Sequence, residues 1–192
     1  MVDTDTMMNE MGGAFMVAWL AGGMNSLEGA LVLAAAWMAI SGAHILPVIT
    51  WGHIMTGDLG DSGAWQDNGS RLAAQVVGAL LAVVLMTEAG AVGPDYDAAA
   101  TATWAFDLWP AMGTMAAGAL LWTVYDRCDA WVAAFVVLAM SGTLALGGAS
   151  DMGAMIMGDL GGDLVDVASN WVMDGAFAGV GALISVKVAD MV

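Results

Sequence analysis

Residues 41–52 decide the fold, and they read Ser41-Gly42-Ala43-His44-Ile45-Leu46-Pro47-Val48-Ile49-Thr50-Trp51-Gly52. Ser41 and Gly42 break the apolar run before them. Pro47 suits the first turn of a new helix, because its missing N–H removes no hydrogen bond there. A helix from Leu46 or Pro47 to Met55 has about two and a half turns, which is too short to cross a bilayer core of about 30 Å. The stretch therefore predicts a half-helix.

A second stretch has the same layout in the other half of the chain. It reads Gly148-Ala149-Ser150-Asp151-Met152-Gly153-Ala154-Met155-Ile156-Met157-Gly158, with Gly153 at the place of Pro47. Interrupted apolar elements at corresponding positions of two halves are typical of the site where the repeats of a transporter meet in mid-membrane. The pair predicts a transport site at the bilayer midplane.

The composition indicates a membrane protein. The chain has 192 residues, of which 60% are hydrophobic and 11% are charged, and its mean hydropathy is +0.78. A soluble domain of this length cannot bury so much apolar surface, and there is room for about six spans of roughly 17 to 25 residues each. We expect no cleaved signal peptide, because residues 1–10 lack a basic n-region. The expected domain is a single transmembrane unit over residues 1–192.

Charge and motif content exclude several classes of function. The net charge is −16, and no basic patch could neutralise phosphates, so we expect no nucleic-acid partner. No nucleophile with a base, phosphate loop or cofactor motif is visible, so neither an enzyme nor a cofactor is expected. The single Cys128 cannot form an internal disulfide. The 17 methionines fit ordinary apolar packing better than a soft-metal path. His53 has no ligand partner at i+3 or i+4, so no metal site is expected.

The apolar runs predict six spanning helices and two half-helices in two copies. The expected spans are 9–23, 27–40, 71–85, 107 or 110 to 125, 131–146 and 170–189, with polar loops at 57–70, 90–103 and 159–166. Each copy, about 7–90 and 104–190, holds three spans, so the second copy must be inverted in the membrane. The copies also match weakly at Val77-Gly78-Ala79-Leu80 and Val180-Gly181-Ala182-Leu183. The predicted fold class is an all-α membrane protein with six transmembrane helices and two re-entrant half-helices in an inverted repeat.

The few basic residues predict the orientation. In the six-span arrangement Arg71, Arg127 and Lys187 all fall on the side of the two termini. Basic residues mark the cytoplasmic side of membrane proteins. We therefore expect a multi-pass protein of the cell membrane with both termini in the cytoplasm.

Residues 41–50 resemble the Ser-Gly-Ala-His-x-Asn-Pro-Ala-Val-Thr motif of the aquaporin and glycerol-facilitator (major intrinsic protein) family. Residues 148–158 look like its second element, Gly-x-Ser-x-Asn-Pro-Ala-Arg-Ser-x-Gly. Glu10, residues 71–78, and Trp171 with Gly181 fall in family order. The resemblance implies a homotetramer in which each six-helix protomer has its own pore for water or small neutral solutes. It also implies half-helices whose positive ends repel cations.

The residues that would line this pore depart from the family pattern. The two motif triplets are Leu46, Pro47 and Val48, then Met152, Gly153 and Ala154, so both asparagines are replaced. Met155 stands at the place of the filter arginine, and family spacing puts further filter positions at Ser26 and Met140. An apolar constriction tends to dewet. We expect a passive channel for water or another small neutral solute or gas, with an apolar filter that opposes fast water conduction. The alternative is a non-conducting membrane scaffold that keeps the fold.

Four polar residues remain as candidates for a role near the pore. The resemblance assigns Glu10 to hydrogen-bonding a loop that carries a half-helix, and we expect His44 to bond backbone there. Asp107 is either the counterpart of Glu10 in the second repeat or the N-cap of the fourth span. Asp151 is an N-cap of the second half-helix, a residue facing external water, or a pore-facing acid that admits a cation or an ammonium-like solute. Glu28 has no role in the family pattern.

Overall fold

The computed structural model describes residues 3–21, 26–89, 104–143 and 164–191. Seven α-helices and no strand occur in these ranges. They are α1 (Thr4–Ala21), α2 (Leu27–Ala39), α3 (Pro47–Thr56), α4 (Ser62–Ala89), α5 (Leu108–Arg127), α6 (Ala130–Thr143) and, last, α7 (Leu164–Ala189). The all-α class is confirmed for this part of the chain. The second broken stretch, with Asp151, Met152, Gly153, Ala154 and Met155, lies outside the described residues.

Two of the helices are long and apolar enough to cross a membrane, over Ser62–Leu85 in α4 and Ala168–Ala189 in α7. Large apolar side chains are also exposed on the outside of the bundle, among them Met38 at 72% and Val84 at 60%. Exposed apolar side chains of this number suit contact with lipid or with another protein. These features indicate a membrane protein.

The helix that starts at Pro47 forms as the sequence predicts. α3 has ten residues, of which seven are buried, and a helix of that length is about 15 Å long. Leu46 is its N-cap in extended backbone, and its side chain makes no capping hydrogen bond. The Leu46 carbonyl accepts from the N–H groups of Ile49 and Thr50 at 3.1 and 3.3 Å. α3 packs against α4, α5 and α7, so it lies inside the protein.

Three helices begin earlier than the sequence predicts. α4 begins at Ser62, within the expected loop 57–70, because Asp61 caps it: its side chain accepts from the Gly63 N–H at 2.8 Å. α1 begins at Thr4 after a similar cap, with the Asp3 carboxylate accepting from the Asp5 N–H at 3.1 Å. α7 begins at Leu164. In α1 and α4 polar residues that lie before the expected spans form mostly exposed first turns.

The helices of the two halves of the chain pack in matching pairs. α1 lies along α4 and α5 lies along α7, while α1 contacts α2 and α5 contacts α6. α2 and α6 pack against each other. Exchanging α1, α2 and α4 for α5, α6 and α7 therefore maps this contact pattern onto itself.

Matching glycines bring the long pairs together. A Cβ at Gly78 of α4 would overlap the backbone of Met11 in α1, and a Cβ at Gly181 of α7 would overlap the backbone of Met115 in α5. These glycines occupy the same position in the two Val-Gly-Ala-Leu segments. Only glycine permits such close backbone approach, so the weak sequence match corresponds to two equivalent helix crossings.

Candidate functional site

Glu10 of α1 is completely buried and holds the chain segment that leads into α3. Its Oε1 accepts from the His44 N–H at 2.7 Å and from Arg71 Nη1 at 2.5 Å. Its Oε2 accepts from the Ile45 N–H at 2.7 Å and from Gln75 Nε2 at 2.8 Å. A buried carboxylate is stable only when it is paired and hydrogen-bonded in this way. These are contacts between Glu10 and the half-helix loop, of the kind the resemblance implies.

Arg71 and Gln75 reach this carboxylate from one face of α4, where residues four apart are neighbours. Arg71 Nη1 also donates to the Gly42 carbonyl at 3.0 Å, and Gln75 Nε2 also donates to Thr50 Oγ1 at 3.0 Å. The sequence analysis predicts Arg71 at the start of a span and as a marker of orientation, whereas it lies nine residues inside α4. The i,i+4 spacing of Arg71 and Gln75 was the signal that could have indicated their joint role.

The backbone at Ile45 is in an unusual conformation. Its φ is 66°, in the left-handed region that β-branched residues avoid. The Leu46 N–H donates to the His44 carbonyl at 2.7 Å, and a hydrogen bond across one residue with positive φ is the pattern of the rare γ-turn. Such strain costs on the order of 1–3 kcal/mol. The bonds to Glu10, together with a 3.0 Å bond from Trp37 Nε1 to the His44 carbonyl, hold the turn in place.

The His44 ring meets a hydroxyl rather than the expected backbone group. Its Nδ1 lies 3.1 Å from Thr50 Oγ1, while the N–H and C=O of His44 bond Glu10 and Trp37. The ring stacks on His53 with centroids 4.1 Å apart and planes 3° apart. Two imidazolium groups so close would repel each other, so the stack disfavours charge on both rings at once. No feature of the sequence pattern indicates this stack.

Apolar side chains fill the space around the N-terminus of α3. Leu46 is 2% exposed, and it belongs to one buried cluster with Leu33, Val137 and Met140. The first-turn residues Pro47 and Val48 are also buried. The structure thus brings Leu46 and the expected filter residue Met140 into the same cluster. Ser26 has a different place, as the N-cap of α2, where its Oγ accepts from the Gly29 N–H at 3.1 Å.

Asp107 is the N-cap of α5. It is exposed, and its Oδ1 accepts from the Trp109 N–H at 3.1 Å, so it does not repeat the buried environment of Glu10. Gly78 faces the backbone of Met11, and Gly181 faces the backbone of Met115, so Met115 of α5 corresponds to Met11 of α1. The residue before Met115 is Thr114, which is 3% exposed. Thr114 rather than Asp107 is therefore the residue of α5 whose position corresponds to that of Glu10 in α1.

An open cleft lies beside the segment that leads into α3, between α2, α5 and α6. It has a volume of about 310 Å³ and is lined by Trp37, Gly42, Ala43, Tyr125, Asp126, Cys128, Ala130 and Ala133. The described ranges, the cleft included, contain no group of three or more His, Cys, Asp or Glu side chains that could hold a metal ion.

Glu28 is exposed in the first turn of α2, where the positive end of the helix stabilises a carboxylate.

The chain matches no protein-family model and no curated protein. Its class therefore rests on its own features. It is an all-α protein, two of its described helices can cross a membrane, and a buried polar network fixes a ten-residue internal helix.

Proposed function

We propose that the protein is a multi-pass membrane protein of aquaporin-like architecture that provides a passive path for a small neutral solute or gas. The observation that carries the proposal is the anchored half-helix. α3 is about half as long as a span, and the non-helical segment before it is bound by Glu10, Arg71 and Trp37. Non-helical backbone at membrane depth is tolerated only when protein surrounds it or a cavity adjoins it.

The packing of the helices supports an inverted repeat. The pairs α1–α4 and α5–α7 are equivalent, as are the crossings at Gly78 and Gly181. With six spans the termini share one side, together with Arg127 and Lys187 near the ends of α5 and α7. We propose that this side is cytoplasmic, and that the protein assembles as a homotetramer.

The apolar cluster around Leu46 and Met140 favours a solute that needs few hydrogen bonds. Both side chains are 2% exposed, and neither can donate a hydrogen bond. A water molecule passing them would lose partners, and apolar constrictions dewet. An apolar gas, or a small neutral molecule such as ammonia, gives up fewer or weaker hydrogen bonds than water when it passes these side chains.

Stopped-flow measurements on proteoliposomes test the proposal. We expect permeability to carbon dioxide or ammonia above that of empty vesicles, with water permeability near the empty-vesicle value. Permeabilities to water, glycerol, ammonia and carbon dioxide that all equal those of empty vesicles would contradict a channel. That result would favour the second candidate, a membrane scaffold, which the close packing around Leu46 also supports.

Leu46→Asn should raise the water permeability of the proteoliposomes. Asn is a good N-cap for α3, and its amide supplies a donor and an acceptor at the tip of the half-helix. The matched control is Leu33→Asn, which places the same amide elsewhere in the same buried cluster. Equal water permeability in the two variants would show a leak through a damaged core rather than a path at Leu46.

Cys128 reports the proposed orientation, since it is exposed and is the single cysteine of the sequence. We expect a membrane-impermeant maleimide to leave Cys128 unlabelled in intact cells and to label it after lysis. Labelling of Cys128 in intact cells would show that this side of the protein faces the outside and would contradict the proposed orientation. A Cys128→Ala variant measures the background of the assay.

A further inference from the structure

We propose that the cleft between α2, α5 and α6 is a binding site for an organic ammonium cation. The cleft is the one of about 310 Å³ that Trp37, Tyr125 and Asp126 line. The proposal does not depend on conduction, because it concerns only this surface cleft.

The aromatic wall is the first feature that suits such a cation. Trp37 and Tyr125 lie together with ring centroids 5.5 Å apart and an interplanar angle of 59°. The Trp37 indole is fixed by its hydrogen bond to the His44 carbonyl. Tyr125 also packs against Trp122, with ring centroids 5.8 Å apart. Ammonium groups bind to such rings within about 6 Å of the centroid, and two rings held in place form part of an aromatic cage.

Negative charge is the second feature. Asp126 is the one charged residue among those that line the cleft. In the part of the chain that the structure describes, the ion pair found is Arg71 with Glu10, so Asp126 is not neutralised there. α5 ends at Arg127, and the C-terminal end of a helix carries partial negative charge that favours cations. Arg127 itself lines the neighbouring groove, which it shares with Asp126 and Asp190.

The rest of the lining decides between an organic cation and a metal ion. Ala43, Ala130 and Ala133 supply methyl groups, against which alkyl groups of a ligand can pack. Calcium and magnesium require six or more oxygen ligands, or a shell of retained water. The side chains of the cleft offer one carboxylate and one phenol. A methylated or alkylated ammonium therefore fits this site better than a hard metal ion.

Protection of Cys128 from thiol reagents tests the site, because Cys128 lies in the cleft wall. The full chain is placed in nanodiscs of phosphatidylglycerol, which has no ammonium group, and tetramethylammonium is added as the probe. We expect it to slow modification of Cys128 by methanethiosulfonate ethyltrimethylammonium and by methanethiosulfonate ethylsulfonate, by about fivefold at saturation. Asp126→Asn should raise the tetramethylammonium concentration needed by about fivefold or more, the scale of a cation–π or exposed charge contact.

Asp129→Asn is the matched control, since Asp129 is exposed beside Cys128 but does not line the cleft. It should keep the protection of the wild-type chain. tert-Butanol, a neutral probe of similar shape, should not protect. Protection that is absent, that tert-butanol reproduces, or that both Asp variants lose equally would overturn the proposal. Both changes lie at exposed positions, and circular dichroism verifies the fold of each variant.

Two sources could supply the ammonium, namely a soluble amine or the choline headgroup of a lipid. Phosphatidylcholine nanodiscs separate them. If lipid headgroups occupy the cleft, tetramethylammonium should protect Cys128 less well there than in phosphatidylglycerol. Equal protection in both lipids indicates a soluble cation. Either result supports the ammonium site and identifies its source.

Discussion

Glu10→Gln should lower the free energy of unfolding by about 3–5 kcal/mol, the cost of breaking a buried ion pair by removing one partner. Four donors converge on the Glu10 carboxylate. A glutamine has one acceptor oxygen, so its NH₂ group must face two of these donors. Arg71 would also lose its counter-charge. Unfolding by sodium dodecyl sulfate from a mild detergent, followed by tryptophan fluorescence, measures the change.

The matched control is Glu28→Gln, the same substitution at an exposed position of α2. It loses only a carboxylate at a helix N-terminus and should cost less than about 1 kcal/mol. Arg71→Met should cost less in the Glu10→Gln background than in the wild-type chain, because the two residues interact directly. Equal costs for the two glutamine variants would show that the network around Glu10 does not hold the segment before α3.

Gly181→Ala should lower the free energy of unfolding by about 3 kcal/mol, at the upper end of the usual cost of overpacking. The new Cβ would overlap the Met115 carbonyl and would lie 2.9 Å from the Ala119 N atom. Both groups are backbone, so no side chain can rotate out of the way and α5 must move away from α7. The same detergent titration gives the difference, and Gly78→Ala should act in the same direction at the equivalent crossing.

Gly113→Ala controls for helix propensity, because a Cβ at Gly113 meets no atom within 4 Å. This substitution in α5 should stabilise the protein by about 0.5–1 kcal/mol, since alanine is the better helix former. Gly181→Ala and Gly113→Ala are thus expected to have opposite signs. A stabilising effect of Gly181→Ala would contradict the close crossing of α5 and α7.

Local features of the sequence predict the short helix α3 well. Pro47 and the break at residues 41–42 are enough to place the start of α3. The start of α4 could not be predicted, because the cap at Asp61 makes a helix from residues whose polar character suggests a loop. Periodicity recognises a helix that buries one face, and the first turns of α4 are mostly exposed.

Less of the candidate site could be predicted from the sequence. Glu10 was recognised through a family resemblance, and the structure adds the partners Arg71 and Gln75. His44 stacks on His53 directly before the positive φ at Ile45, a backbone conformation that an isoleucine does not indicate. Leu46 and Met140 are distant in the sequence and come into one buried cluster only through tertiary packing.

The pairing of Glu10 with Arg71 also sets an order of events during synthesis. The two residues are 61 positions apart in the chain, and a ribosome that adds 5–20 residues per second needs about 3–12 s to make that length. Until then α1 carries a carboxylate without its partner, and an ionised acid opposes membrane insertion by about 2.5–3.5 kcal/mol. If α1 spans the membrane as proposed, we therefore expect it to be stably placed only after the first turns of α4 have emerged, so that α1 and α4 settle together.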